Sequence, residues 1–290
     1  MMDKLDKVAG NDDLHLEAQC AFDISIGCVF QNEARFLREW LEYHKLIGVQ
    51  HFILVDDRST DAFWEVLRPY ICSGEVELFS NPCPEPFRGR SWPKYQVAVH
   101  GALVRYLQGV SKWLALVDVD EFIVPSNTDT LVGFLRDYEE FGALYIRWEP
   151  FGTSYVTKVP DHELMTTALY LKWRFIRGFH MFGKSIVKPH RVLSANIHHC
   201  ELIPGFSYWD SNPDMQSDTS LVRVFHYWTR DETFLFGCKL PRTLLIKAWE
   251  KEEENLDLFR SLFNDVPDYS MRRFEQQLRS RIFGDESQGR

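Results

Sequence analysis

The sequence predicts an α/β protein, with a mainly parallel central sheet flanked by helices. Two observations carry this. Short apolar runs alternate with amphipathic helical segments five times in the first 150 residues. The apolar runs also end in polar groups, "VFQNE" (29–33), "VDDRST" (55–60) and "VDVDEF" (117–122). In open α/β sheets, ligands bind off the carboxyl ends of the strands.

Each element follows from its pattern. Residues 1–20 are polar and read as a tail. "ISIGCVF" (24–30) is a buried strand, and Phe36, Leu37, Trp40, Tyr43 and Leu46 recur at helical spacing up to a C-cap glycine, Gly48. "VQHFILVDD" (49–57) is a second strand, and Ser59 or Asp61 is the expected N-cap of the helix in "STDAFWEVLRPY". "EVELF" (75–79) is a third strand, and the Pro-rich 81–93 is an irregular loop. Helix 94–107 leads into a strand, "WLALVDVDEFIVP" (113–125), followed by a helix in "TLVGFLRDYEEF" and a strand, "ALYIRW" (143–148). The last 45 residues look helical, with an acidic turn at Glu250–Glu254. In the final helix Met271, Phe274, Leu278 and Ile282 form one face, flanked by arginines. Such a helix either packs on the domain or lies on anionic lipid.

Composition narrows the function. With 33 Lys+Arg against 42 Asp+Glu the net charge is −9, so no nucleic-acid partner is expected. The six cysteines lie far apart without zinc-ligand spacing. The polar start and the lack of a ~20-residue apolar run lead to an expected cytoplasmic location, extending to the cytoplasmic membrane face if the last helix binds lipid.

The chemistry concentrates at Asp118-Val119-Asp120-Glu121, three acidic groups within four positions at the end of an apolar run. Burying unpaired carboxylates costs several kcal/mol, so this turn either holds a counter-ion or ends in solvent. Asp118-x-Asp120 suits a hard divalent cation, Mn²⁺ or Mg²⁺. Asp56-Asp57 either meets a nucleotide's ribose or base edge or forms a turn, and Asn32-Glu33 either lines that pocket or caps a helix. Residues 164–200 contain no acid but six cations, Lys172, Arg174, Arg177, Lys184, Lys188 and Arg191. They would neutralise a diphosphate or hold an anionic acceptor, or else stand as solvated charges. His226 and His198-His199 are metal-ligand or acid–base candidates, with a packed core role as the alternative.

The ordered segments "CVFQNEARFLREWLEYHKLIGVQHFILVDDRSTD", Gln96, "WLALVDVDEFIVP", "RWEPFGTS", "GKSIVKPHRV" and "FHYWTRDETFLFGCK" resemble glycosyltransferase family 92, in particular its soluble bacterial members. The resemblance spans about residues 22–245. It implies the nucleotide-sugar transferase fold called GT-A, with a nucleotide-binding half (21–125), an acceptor half (126–245) and a C-terminal helical segment (246–290). It also implies an inverting transfer from a UDP-sugar, with Mn²⁺, to a glycan or lipid-linked acceptor. Asp118 and Asp120 would hold metal and diphosphate, with His226 a further contact. Asn32, Glu33, Asp56, Asp57, Gln96 and Lys184 would meet the donor, and Trp148, Phe151 and Gly152 would border the acceptor. Inversion requires a base, for which Glu149, Glu201, Asp161 and Glu163 are candidates. The chain departs from the family pattern at Phe225 and at "KLPR" (239–242). A nucleotidyl or phosphoryl transferase and a non-catalytic nucleotide-sugar-binding module are the competing readings; the lack of a Walker-type loop speaks against the first.

Overall fold

The computed structural model describes residues 17, 19–81, 92–126, 128–174, 181–212, 221–239, 260–261 and 263–284. Most of the expected tail, most of the 81–93 loop, Arg177 and the acidic turn at Glu250–Glu254 lie outside these residues.

The first half follows the predicted alternation: β1 (Phe22–Phe30), α1 (Ala34–Leu46), β2 (His51–Asp56), α2 (Phe63–Cys72), β3 (Val76–Ser80), α3 (Trp92–Tyr106) and β4 (Ser111–Leu116). Then come β5 (Glu121–Pro125), α4 (Leu131–Leu135), β6 (Ala143–Pro150), α5 (Met165–Ala168), β7 (Leu171–Lys172) and β8 (Gly183–Val187). The chain continues through β9 (Val192–Ser194), β10 (Glu201–Leu202), β11 (Tyr208–Asp210), β12 (Val222–His226), α6 (Glu232–Phe234), β13 (Val266–Pro267) and α7 (Arg272–Phe283).

The main sheet runs β3-β2-β1-β4-β8-β6-β12-β5, with β11 also on β6. Its β3-β2-β1-β4 half is parallel. Beyond β4 the sheet is mixed, because β8 runs antiparallel to both β4 and β6, and β5 antiparallel to β12. Helices α1, through Trp40, and α7 pack in one core with Phe52, Trp113 and Phe122, while α3 and the turn after it set Leu103, Val104 and Leu107 against Leu114 and Leu116 in the other. Each fully buried large side chain contributes roughly 1.5–3 kcal/mol. Gly27 permits this layering, since a Cβ there would stand 2.8 Å from Leu103 Cδ1.

Three local expectations are corrected. "WLALVDVDEFIVP" contains two strands, with Asp118 to Asp120 in the turn between them. The run looked continuous because both strands are apolar, but β5 leaves β4 to pair with β12. Helix α2 is not capped by Ser59 or Asp61; the Asp61 carboxylate accepts the Ala34 N–H at 2.8 Å instead. The helix expected in 130–141 divides into α4 and a 3-10 turn at Arg136–Tyr138. Helix α7 and its N-cap residue Met271 turn Met271, Phe274 and Leu278 into the main core, and Tyr43 meets the Phe274 ring at 5.1 Å. Among the described residues, no helix is long and apolar enough to cross a membrane.

Candidate active site

The turn between β4 and β5 is built rigidly. The Asp118 N–H donates to Glu121 Oε2 at 2.8 Å, and the Glu121 N–H returns to the Asp118 carbonyl at 3.0 Å. Trp40 Nε1 donates to the Glu121 carbonyl at 2.9 Å, fixing the turn to α1. At the end of β12, the Tyr227 N–H donates to the Asp120 carbonyl at 2.8 Å.

Cations from distant segments answer the carboxylates. Lys184 on β8 is 1 % exposed; its Nζ lies 2.7 Å from Asp118 Oδ2 and 3.3 Å from Glu121 Oε2. Gln96 on α3 donates to Asp118 Oδ1 at 3.2 Å. Asp120 faces His226 Nε2 at 3.6 Å, Lys239 Nζ at 3.1 Å and Arg230 Nη2 at 3.9 Å. Arg230 also pairs with Glu33 Oε2 at 2.6 Å and lies between the rings of Phe36 and Phe234. Its backbone is left-handed, with φ 49°, a conformation costly for a long side chain and concentrated at functional sites. The acidic strand end is therefore held by counter-ions.

These contacts set the protonation states. Burial pushes the Asp118 and Asp120 carboxyls up. Lys184 outweighs it at Asp118, and Lys239, His226 and Arg230 do so at Asp120, so both are held below the ordinary carboxylate range. Glu121 is pushed up to about 7 by burial, Lys184 opposing this and Asp118 adding to it. Burial also raises Glu33, against the pull of Arg230.

Of the residues singled out in the sequence, Asp118, Asp120, Gln96, Lys184, His226 and Glu33 come together here. Asn32, Asp56 and Asp57 form an adjoining turn cluster at the ends of β1 and β2. The Thr60 N–H donates to Asn32 Oδ1 at 2.7 Å, the Ser59 N–H to Asp56 Oδ1 at 2.9 Å, and Asn81 Nδ2 to Asp57 Oδ1 at 2.5 Å. Asp56 thus serves its own turn, whereas Asn32 and Asp57 tie distant segments together and the Asn32-Glu33 pair gives α1 no side-chain cap.

The proposed bases are not gathered at this centre. Glu149 alternates with Trp148 on β6, so it points to the opposite sheet face, where it pairs with Lys172 at 3.0 Å. Glu201 is exposed on the β9–β10 ribbon, and Asp161 and Glu163 are exposed in a turn. The basic stretch is likewise dispersed, for Lys188 and Arg191 pair with Glu17 at 2.8 and 3.0 Å, and Arg174 with Asp265 at 2.8 Å. Only Lys184 of the described cations in that stretch reaches the acidic turn.

Beside His226 stands an aromatic wall. Trp148 meets the rings of His226 at 4.4 Å, His198 at 5.1 Å and Phe182 at 6.0 Å, and Phe182 is 43 % exposed. Phe151 is buried against Phe225 and Tyr227, and Gly152 lies where a Cβ would strike the Phe263 carbonyl. Both are packing residues.

Sequence reasoning missed Arg230 and Lys239. They stand in the same "FHYWTRDETFLFGCK" segment as His226, four and thirteen positions on, but nothing in their spacing marked them as partners of Asp120.

The chain belongs to glycosyltransferase family 92, whose sequence model matches residues 24–276. A glycosyltransferase family 92 protein of Oryza sativa subsp. japonica is 31 % identical over 195 residues, 65 % of this chain and 31 % of that protein. Galactan beta-1,4-galactosyltransferase GALS2 of Arabidopsis thaliana is 28 % identical over 202 residues, 66 % of this chain and 36 % of that one. The chain spans between 31 % and 38 % of the length of the curated relatives it matches. Among solved structures, S. aureus TarS residues 1–349 overlaps 92 % of this chain and 77 % of that chain with a TM-score of 0.40 at 11 % identity, an overlap too slight to build on. The α/β architecture, a mixed central sheet flanked by helices, is the kind expected for GT-A.

Proposed function

We propose that this chain transfers a sugar from a nucleotide-sugar donor, a UDP-sugar, to a glycan or lipid-linked acceptor. The observation that carries the reading is the pair Asp118 and Asp120, kept ionised at the end of a buried strand and ringed by Lys184, Lys239 and Arg230. Family membership and the galactosyltransferase relatives support the sugar-transfer class.

Among the described residues, no group of three or more His, Cys, Asp or Glu side chains stands ready-made as a metal cage. The donor chemistry nonetheless fits a hard divalent cation, because Asp120 Oδ1 and His226 Nε2 face each other at 3.6 Å with Asp118 two residues away. Asp118, Asp120 and His226 would hold Mn²⁺ or Mg²⁺. Bound there, the ion would supply Lewis-acid stabilisation of charge on the departing diphosphate.

The remaining roles belong to the chain itself. Lys184 and Gln96 fix the Asp118 carboxylate, while Arg230 fixes Glu33 and Asp120. The Trp148–Phe182–His198 wall offers apolar faces on which a sugar ring can stack. Asn32, Asp56 and Asp57, at the adjoining ends of β1 and β2, would border the nucleotide side of the centre, facing ribose and base. An inverting step needs a base within hydrogen-bond reach of the acceptor hydroxyl, and neither Glu149 nor Glu201 lies in the cluster.

A panel of UDP-sugars incubated with Mn²⁺ tests the reading by release of UDP from wild type and Asp120→Ala. Turnover of one donor by wild type alone is expected. Failure of every nucleotide sugar, with pyrophosphate released from nucleoside triphosphates instead, would sink it in favour of nucleotidyl transfer.

A further inference from the structure

The two long cations at Asp120 are held differently. Arg230 is 1 % exposed, paired with Glu33 at 2.6 Å and enclosed by the rings of Phe36 and Phe234. Nothing in that setting lets it leave. Lys239 has a side chain 25 % exposed and closes a π-helical turn, Leu235–Lys239, a form that recurs at functional sites. Among the described residues it meets the Asp120 carboxylate at 3.1 Å and the face of Trp228 at 5.4 Å.

We propose that Lys239 is an exchangeable counter-ion: it competes with a divalent cation for Asp120 and pairs with the diphosphate oxygens of the donor when that cation is bound. This rests on the donor reading above. A carboxylate oxygen that takes a metal ion as ligand gives up its ammonium partner, because two cations on one oxygen repel. The displaced lysine carries four rotatable carbons and a compact charge suited to phosphate. Lys239 would then travel a few ångströms from a protein carboxylate to a diphosphate, two anions of one site. Arg230 stays and keeps Asp120 aimed. Each arrangement keeps the charge of the site balanced, with Lys239 on Asp120 in one and the divalent cation on Asp120 in the other.

The idea makes opposite demands on two affinities, which a merely structural lysine would not. Calorimetry with Mn²⁺ alone, with UDP in the presence of Mn²⁺, and with UMP in the presence of Mn²⁺ measures them on wild type, Lys239→Met and Lys239→Arg. Lys239→Met is expected to bind Mn²⁺ alone about tenfold more tightly and UDP about tenfold more weakly, with UMP changed far less. Lys239→Arg should restore UDP affinity. Unchanged Mn²⁺ and UDP affinities in a Lys239→Met protein of wild-type circular dichroism would overturn the proposal while leaving the donor reading intact. Equal weakening of UMP and UDP would overturn it too, as it would mean general damage to the pocket. If wild type itself binds no UDP with Mn²⁺, the donor reading fails and this inference falls with it.

Discussion

Lys184 Nζ lies 2.7 Å from Asp118 Oδ2 across the antiparallel β4–β8 pair. The counter-ion of the acidic turn thus comes from a strand 66 residues later in the chain, inserted beside β4 by the mixed half of the sheet. With Lys184 buried, the pair has strong consequences for stability as well as for the site.

Lys184→Met would leave Asp118 and Glu121 facing each other without their shared cation. Removing one partner of a buried ion pair costs roughly 3–5 kcal/mol, and the lower end is expected because Asp118 keeps some solvent. Urea unfolding should give that loss, together with no release of UDP from a donor that wild type turns over. A wild-type urea midpoint would contradict the assignment.

Gly183, just before Lys184, has no room for a side chain, since a Cβ there would collide with the Ile146 carbonyl on β6. Gly183→Ala must push β8 off β6 and carry Lys184 with it. Overpacking of this kind costs roughly 1–3 kcal/mol. The expected result is a lower urea midpoint and lower turnover, while Gly237→Ala, which meets open space, should keep the wild-type midpoint.

His44 predicts an acid sensitivity. Its Nδ1–H donates to the Trp40 carbonyl at 2.9 Å, and its Nε2 accepts the Ile123 N–H at 3.3 Å, so the neutral ring is pinned between α1 and β5. Burial holds it down at about 3, against the pull of the Trp40 carbonyl. The unfolded chain therefore binds this proton at pH values where the folded chain does not. The stability is whole above the ordinary histidine pKa near 6.5 and drains as pH falls toward 3. From pH 7 to pH 5 the loss from this group is about 2 kcal/mol, read as the difference between urea midpoints. His44→Gln should lessen that dependence; an equal dependence in both proteins would contradict the account.

Leu278, fully buried on α7, tests whether the last helix belongs to the core. Leu278→Ala should cost roughly 2–5 kcal/mol by the usual transfer and cavity terms. A loss below ~0.5 kcal/mol, the range of surface substitutions, would instead describe a helix lying loosely on the domain.

Legibility in the sequence tracked locality. Strands β1 to β4 and helices α1 to α3 were readable because each writes its own period and its own end. The Asp118–Asp120 turn was readable as a site from the acid that ends a buried run. What the sequence hid was long-range pairing: that Glu121 opens a new antiparallel strand on β12, that Asp61 serves Ala34 rather than its own helix, and that Lys172, Lys184 and Lys188 go to three separate sets of carboxylates. Glu149 looked like a base because the sequence does not say which sheet face it takes, and the two-residue alternation along β6 put Trp148 on the site side. Arg230 and Lys239 carry no local mark at all, since only the end of β12 brings them to Asp120.

The most direct test of the central claim is anomalous diffraction at the manganese edge from crystals grown with Mn²⁺ and UDP. The account predicts a peak in coordination range of the Asp118 and Asp120 carboxylates, with the diphosphate beside it. A peak elsewhere, or UDP bound away from the turn between β4 and β5, would contradict it.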